Sequence, residues 1–320
     1  MSKVLILTFF DNFSFPQSEA GRKQAWWMAN DLKKHNTVEI FYWSTTTSVN
    51  FVDGVRIFSG QLKSNELSEY DEVRIILSAL EFRLLKFLNK AIRISIYILD
   101  GQPIPLDFKY PLRKLLANIC SIVFDEIYIL SEYQKRNLGI QKAKKMAVYL
   151  PKIDKCLYPV EKTSYPSILY MGHLKKFKGV DYLISSSYDL VEKYPNIQIT
   201  FAINGLHSSL STEKNLRKLH SNLPDNITIT GVVDPLAELS KAWIYVYPFR
   251  RPHGTMAYAL SIYEALSLGC NVIASDVGSN KEFFGEIRYL KKPTFFRNFN
   301  NVKDQLLEEI CDEIDNRLLP

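Results

Sequence analysis

The sequence predicts an α/β protein made of two doubly wound domains that face a central cleft. Short β-rich runs alternate with amphipathic helical segments along the chain, and such alternation produces a parallel sheet covered by helices on both faces. The series is interrupted by the polar, proline-containing segment 151–166 and then starts again. We therefore expect one domain over residues 1–155, a second over 156–300, and a helix over 301–320 that is placed to pack back across the domains.

The elements of the first half follow from residue type and periodicity. The strands are runs of β-branched and aromatic residues, and the helices carry apolar residues at helical spacing. The predicted strands are 4–8, 38–42, 55–58, 73–77, 94–99, 127–130 and 147–150. The predicted helices are 18–34, 79–91 and 111–122.

The second half repeats the pattern. The predicted strands are 168–171, 197–203, 227–230, 244–247, 272–274 and 287–290. The predicted helices are 180–194, 213–221, 235–241, 256–268, 280–284 and 302–317. The helix 256–268 is expected to open near Gly254–Thr255 and to stop at Gly269. Ligands of such sheets bind at the carboxyl ends of the strands, where the strand order reverses.

Composition and charge exclude several classes of protein. A net charge of +6 over 320 residues suits anionic small ligands or a membrane surface. No basic block is interleaved with stacking aromatics, so nucleic acid is not an expected partner. G-x-G-x-x-G is absent, which argues against a nicotinamide enzyme.

The cysteines and the hydropathy pattern indicate a cytoplasmic protein. The cysteines are scattered without metal-ligand spacing, so we expect free thiols in a reducing compartment and no metal site. They are Cys120, Cys156, Cys270 and Cys311. The chain enters strand 4–8 without a leader-like stretch, and the longest apolar run, 115–130, is interrupted by charges.

The stretch from Trp243 to Glu282 is the most informative part of the chain. The start of its predicted helix would lie beside the carboxyl end of strand 244–247, where free amides and the helix dipole favour an anion. Glu264 lies deep in that otherwise neutral helix. A phosphate-attracting helix start followed by a carboxylate suits a nucleoside diphosphate with its ribose hydroxyls.

Two motifs connect the second half to a known family. One reads Ile168-Leu-Tyr-Met-Gly172-His173-Leu-Lys-Lys-Phe-Lys178-Gly179, and the other contains Glu264-Ala265, Gly269 and Val272-Ile273. They resemble the retaining, nucleotide-sugar-dependent glycosyltransferases of the GT-B fold (glycosyl transferases group 1, family 4-like), which have two Rossmann-like domains. The family patterns are Y-x-G-R-L-x-x-x-K-G and E-A-x-A-x-G-x-P-V-I. The resemblance covers residues 165–290, whereas the first half agrees only in its architecture.

The resemblance implies a site for the sugar donor. Lys178 and Gly172 would hold the diphosphate, with the amides of Thr255, Met256 and Ala257 opposite, and Glu264 would accept hydrogen bonds from the ribose. The turn after strand 227–230, with Gly231 and Val232, would approach the base. Negative charge grows on the leaving phosphate during transfer, so fixed cations and amides stabilise the transition state. No metal or cofactor is then needed beyond the nucleotide sugar.

Three positions depart from the family pattern. His173 stands where relatives carry an arginine that binds the diphosphate, and it lacks a bidentate fork. Met256 stands where a glutamate contacts the donor sugar. Asp100 follows strand 94–99, at the position where many relatives carry a histidine. It either contacts the transferred sugar or the acceptor, or it heads a Pro/Gly turn. In the first case Asp100 joins Lys178 and His173 as the candidate catalytic groups.

Plainer interpretations of these residues stay open. Lys178 would otherwise be a solvated loop lysine, and Glu264 a partly exposed helix carboxylate. The basic amphipathic segment 82–93 either covers the sheet with its lysines outward or docks on an anionic membrane that carries a lipid-linked acceptor.

The sequence therefore predicts a metal-independent, retaining glycosyltransferase, cytoplasmic or peripheral at a membrane, with a glycan, lipid-linked or protein-linked acceptor. A second hypothesis, favoured by His173 and Met256, is a weak or inactive homologue that binds nucleotides or glycans as a subunit. A third is a sugar-nucleotide epimerase, for which the chain shows no clear acid/base pair.

Overall fold

The computed structural model of the chain forms two compact units, each built around its own sheet. One unit is Met1–Pro151 together with Pro252–Tyr258, and the other is Lys152–Arg251 together with Ala259–Pro320. The predicted fold class, α/β with two doubly wound parallel-sheet units, is confirmed. The structure describes residues 1–8, 20–63, 65–77, 92–99, 110–146, 153, 156–173, 176–203, 223–251, 256–285, 287–290 and 299–318.

The first unit contains a sheet of order β3-β4-β2-β1-β5-β6-β7-β8, in which only the β3–β4 pair is antiparallel among the described strands. Its strands are β1 (Lys3–Thr8), β2 (Thr37–Trp43), β3 (Ser48–Val52), β4 (Val55–Gly60), β5 (Glu72–Leu77), β6 (Arg93–Ile98), β7 (Glu126–Ile129) and β8 (Lys144–Lys145). Its helices are α1 (Ala20–Leu32), α2 (Tyr110–Val123) and α3 (Glu132–Leu138).

The core of this unit lies around its central parallel strands. Leu5, Ile6 and Leu7 of β1 are all fully buried. Successive side chains of a strand point to opposite faces, so β1 is covered on both sides, as in a doubly wound sheet.

The sequence analysis predicted β4 as strand 55–58, but it missed β3, and with it the hairpin β3–β4, as well as the short strand β8 and the helix α3. Asp53 and Gly54 connect β3 to β4, and both have positive φ angles, 47° and 79°. Two central residues with positive φ are the mark of a type I′ turn, which joins strands with the correct twist. The Asp-Gly pair was therefore an available signal for this hairpin.

The second unit contains a sheet of order β11-β10-β9-β12-β13-β14, and every described strand pair in it is parallel. Its strands are β9 (Ser167–Gly172), β10 (Gln198–Ile203), β11 (Ile227–Thr230), β12 (Ile244–Tyr247), β13 (Asn271–Ser275) and β14 (Arg288–Leu290). Its helices are α4 (Val180–Lys193), α5 (Pro235–Lys241), α6 (Leu260–Ser267), α7 (Asn280–Phe283) and α8 (Phe299–Leu318).

The carboxy-terminal helix α8 packs on the second unit. Its buried residues recur every four positions, at Val302, Leu306, Ile310 and Ile314, which gives one apolar face. That helix lies against α4, the edge strand β14 and its neighbour β13. The contact is closed by ion pairs, of which Lys303 Nζ to Asp189 Oδ2 measures 2.7 Å.

Three predicted elements lie outside the described residues: the helices 79–91 and 213–221 and the strand 147–150. One predicted helix is shorter than expected, because α6 starts at Leu260 and not near Gly254–Thr255. Over the part of the chain that the structure describes, no helix combines the length and apolar character that a membrane span requires.

Candidate functional site

The second sheet changes direction between β9 and β12. The chain runs outward from β9 to β10 and β11 on one side, then returns to β12 and continues to β13 and β14 on the other. In open parallel sheets, ligands bind outside the carboxyl ends of the two strands at such a reversal. The segments that follow β9 and β12 are therefore the first place to look for a site.

Backbone contacts hold these two segments together. After β9, a 3₁₀ turn at Lys176–Lys178 leads to Gly179, which begins α4 with a left-handed φ of 67°. The Arg250 amide donates a hydrogen bond to the Phe177 carbonyl at 2.8 Å. A Cβ atom on Gly179 would lie 1.8 Å from the Pro248 carbonyl oxygen, so only glycine fits here.

Lys178 is buried within this arrangement. The residue is 8% exposed, and its Nζ lies 4.0 Å from the ring centroid of Phe249 and 5.3 Å from that of Phe177. Aromatic faces attract an ammonium group and offset part of its desolvation. The interpretation of Lys178 as a solvated loop lysine is therefore wrong.

Two arginines of this region were missed by the sequence analysis. Arg250 and Arg251 directly follow β12 and Phe249. The guanidinium of Arg250 pairs with Asp181 at 2.6 Å and lies 4.2 Å from the Tyr182 ring centroid. The guanidinium of Arg251 lies 5.0 Å from the ring centroid of Phe177. Consecutive arginines after a buried strand were the signal that could have found them.

Gly172 is the last residue of β9, and His173 follows it. The Tyr170 hydroxyl donates a hydrogen bond to the His173 carbonyl at 3.1 Å, and a Cβ on Gly172 would lie 3.0 Å from that hydroxyl. Burial raises the pKa of Tyr170, so the phenol remains a donor. The side chain of His173 is exposed.

Glu264 lies in the second turn of α6 and is 5% exposed. The interpretation as a partly exposed carboxylate is therefore wrong. Burial and, to a smaller extent, the charge of Glu264 raise the pKa of the fully buried Tyr245 on β12. Glu264 therefore lies within electrostatic reach of Tyr245 on β12. Glu264 is one turn from the helix start, not the two and a half turns expected from the sequence.

Gly231 and Val232 follow the edge strand β11, at the same carboxyl edge as the ends of β9 and β12. The Val232 side chain is 77% exposed. Asp234 caps α5 by accepting hydrogen bonds from the amides of Leu236 and Ala237, and it fixes this turn.

The residues proposed as the helix start take a different position. Met256 and Ala257 precede α6 and belong to the first unit. The Ala257 amide donates to the Leu99 carbonyl at 2.7 Å, so this amide is not a free helix-start donor. Thr255 and Asp100 lie outside the described residues.

The structure thus brings Gly172, Lys178, Gly231 and Val232 to one edge of the second sheet. Within the described ranges, no cluster of His, Cys, Asp or Glu side chains is arranged to hold a metal ion. The four cysteines are free thiols.

Most of the second unit matches a known protein family. Residues 165–309 match the family model described as Glycosyl transferases group 1. The chain is also 27% identical over 153 residues to the spore coat protein SA of Bacillus subtilis (strain 168), a match that covers 45% of this chain and 38% of that protein. The matching segment therefore spans less than half of that relative.

Several solved structures share the whole fold. HepE of Anabaena, in complex with UDP and glucose, is 14% identical with a TM-score of 0.71, over 99% of this chain and 91% of that chain. An alpha,alpha-trehalose-phosphate synthase (UDP-forming) from Burkholderia xenovorans is 12% identical with a TM-score of 0.68, over 99% and 92%. A glycosyltransferase from Rickettsia africae is 14% identical with a TM-score of 0.65, over 98% and 94%. At this level of identity, these structures show that the chain shares their fold.

Proposed function

We propose that this protein transfers a sugar from a nucleoside-diphosphate sugar to an acceptor, with retention at the anomeric carbon and without a metal ion. The acceptor class we propose is a glycan, a lipid-linked saccharide or a protein-linked one. The HepE structures contain UDP and UDP-glucose, so UDP-glucose is the first donor to test.

One observation carries the proposal. Lys178 is buried between aromatic rings after β9, beside the reversal of strand order in a unit that matches Glycosyl transferases group 1. Burying a lysine costs free energy, and both aromatic faces and anions offset that cost. A diphosphate bound at the carboxyl edge would be such an anion.

The chemistry follows from where charge develops. As the bond between the sugar and the phosphate oxygen breaks, negative charge builds up on the leaving diphosphate. The ammonium of Lys178 would stabilise this charge more strongly in the transition state than in the ground state, which lowers the barrier. Glu264 would accept hydrogen bonds from the ribose hydroxyls, and the turn at Gly231–Val232 would contact the base.

Replacing Lys178 with alanine tests this role. We expect the Lys178→Ala variant to lose donor turnover by at least about a hundredfold, the magnitude seen when a group that stabilises transition-state charge is removed. Turnover is measured as release of UDP from UDP-glucose and, in parallel, of GDP from GDP-mannose and of ADP from ADP-glucose. The matched control is Lys241→Ala, which removes an exposed lysine of the same unit. A folded Lys178→Ala enzyme with undiminished turnover would reject the assignment.

Retention and metal independence are tested on the wild-type protein. Proton NMR of the product shows the anomeric configuration, and the α-configured donor should give an α-linked product. Turnover should persist in EDTA. An inverted product would remove retention from the proposal, and inactivation by EDTA that Mg²⁺ or Mn²⁺ reverses would remove metal independence.

Two rival functions have distinct outcomes. A binding subunit without activity, suggested by His173 and Met256, would bind UDP in calorimetry but release none from donors. An epimerase would interconvert sugar nucleotides in the absence of any acceptor. Acceptor-dependent release of UDP, GDP or ADP would exclude both.

Contact with a membrane is a further part of the proposal. Segment 82–93 lies almost wholly outside the described residues, but α2 exposes Leu115, Ile122 and Val123, at 51%, 84% and 36%. The exposed lysines of β8 belong to the same unit, and a surface that carries both exposed apolar side chains and cations favours an anionic bilayer. Sedimentation with vesicles containing phosphatidylglycerol, but not with pure phosphatidylcholine, is the expected result. Equal recovery with both would argue against an anionic membrane as partner.

A further inference from the structure

The segment Pro248–Arg251 places two arginines beside Lys178. The Arg250 amide is bonded to the Phe177 carbonyl, and Gly179 lies against the Pro248 carbonyl. These backbone contacts fix the position of the segment relative to the 3₁₀ turn. The positions of the two arginines are therefore set in part by the backbone that carries them.

The charges in this cluster are unequal. The segments 177–181 and 248–251 contain the cations Lys178, Arg250 and Arg251, but only one carboxylate, Asp181. Asp181 pairs with Arg250, whose side chain is 10% exposed. The cluster consequently carries excess positive charge at the carboxyl edge of the sheet, where anionic ligands are expected.

A single aromatic ring links Lys178 to Arg251. The ammonium of Lys178 lies 5.3 Å and the guanidinium of Arg251 lies 5.0 Å from the centroid of the Phe177 ring. Arg251 is half-buried, so its side chain is restricted and part of it reaches the surface. Both cations therefore lie close to the same ring, in the segments that follow β9 and β12.

From this arrangement we infer that Arg251 binds the diphosphate of the donor together with Lys178, while the Arg250–Asp181 pair positions the segment that carries it. The inference rests on the proposed function. Lysine provides a point charge, whereas the planar guanidinium donates two parallel hydrogen bonds to phosphate oxygens. Arg251 thus supplies the bidentate contact that His173 cannot make.

The test compares nucleotides with nucleosides. Calorimetry measures the affinities of UDP, GDP and ADP and of uridine, guanosine and adenosine for wild type, Arg251→Gln and Arg251→Lys. We expect Arg251→Gln to weaken diphosphate binding about tenfold to a hundredfold, as for loss of a hydrogen bond to a charged group. Nucleoside affinity should not change, and Arg251→Lys should recover part of the loss because it keeps the charge.

A matched control is Arg136→Gln, which removes the same charge from the exposed surface of α3 in the other unit. It should bind diphosphates as the wild type does. Thermal unfolding of each variant shows whether Arg251→Gln is folded, and Arg251→Lys provides a second test if it is not.

The outcomes separate the inference from the proposed function. If the wild type binds UDP, GDP or ADP and both Arg251 variants bind that nucleotide as tightly as the wild type does, the inference is wrong and the proposed function stands. Equal losses for nucleotide and nucleoside would mean a structural role for Arg251 and would also overturn it. If the wild type binds none of the nucleotides, both are wrong.

Discussion

The carbonyl oxygen of Pro248 occupies the space into which any side chain on Gly179 would extend, 1.8 Å from an ideal Cβ. Two segments that are distant in the sequence meet here, one after β9 and one after β12. The absence of a side chain on Gly179 therefore allows the basic cluster of Lys178, Arg250 and Arg251 to form.

Substitution of Gly179 by alanine should destabilise the second unit strongly. A left-handed backbone costs alanine about 1–2 kcal/mol, and the steric clash adds about 1–3 kcal/mol. We expect a loss of about 2–5 kcal/mol in the free energy of unfolding, measured by urea denaturation.

The control for this prediction is Gly269→Ala in the same unit. Gly269 has a similar φ of 70°, but its nearest neighbour would be 3.7 Å from a new Cβ. The free energy of unfolding of the Gly269→Ala variant should fall only by the cost of the left-handed backbone, about 1–2 kcal/mol. Equal losses at the two positions would show that the contact with Pro248 does not matter.

Glu264→Gln should remove discrimination for the ribose. We expect the wild type to bind UDP about tenfold to a hundredfold more tightly than 2′,3′-dideoxyuridine diphosphate, because a hydrogen bond to a carboxylate is worth about 1.5–3 kcal/mol. The Glu264→Gln variant would lose most of this preference, as measured by calorimetry. Glu238→Gln, a change on α5 that removes a half-buried carboxylate facing Lys241, is the control. If the Glu264→Gln variant kept the full preference for UDP over the dideoxy analogue, Glu264 would not bind the ribose.

The Arg250–Asp181 pair should contribute modestly to stability. Its coupling energy, measured from Arg250→Met, Asp181→Asn and the double variant, is expected to be about 0.2–1 kcal/mol, since Asp181 is 41% exposed and solvent screens the interaction. A zero coupling energy would mean that the backbone contacts alone position the segment 248–251.

Acid should weaken the first unit through Glu126. Hydrogen bonds from Lys144, Tyr128 and Arg93 lower the pKa of the Glu126 carboxyl to about 2. A depressed pKa in the folded state stabilises the protein above the ordinary glutamate pKa of about 4.3, and this contribution is lost as the pH falls to about 2.

The measurement compares unfolding of the wild type and Glu126→Gln between pH 7 and pH 2. The wild type should be the more stable at pH 7, and the difference should shrink below about pH 4.3. The control Glu69→Gln alters an exposed carboxylate of the same unit. A difference that stays constant across this range would show that Glu126 is not the titrating group.

Sequence periodicity predicted most strands because their burial follows residue type directly. It placed the start of α6 incorrectly because a long-range contact decides it. Met256 and Ala257 continue the apolar pattern of the helix, yet the Ala257 amide bonds to the Leu99 carbonyl. Local propensity cannot anticipate a partner so far away in the chain.

Long-range contacts also explain why the sequence named only some residues of the candidate site. Lys178 and Glu264 belong to motifs with recognisable spacing, so both could be named from the sequence. Arg250 and Arg251 belong to no such motif, and their relevance depends on Gly179 allowing the strand-end segments to meet. Only the three-dimensional contacts associate these arginines with Lys178.

Met256–Tyr258 belong to the first unit, although the chain up to Arg251 and again from Ala259 belongs to the second. The two units are consequently not separable by a single genetic cut. A fragment that begins at residue 152 would contain a stretch whose packing partners are missing. Chimeras that exchange whole units between homologues would therefore need three junctions, so that this short crossover travels with the amino-terminal unit.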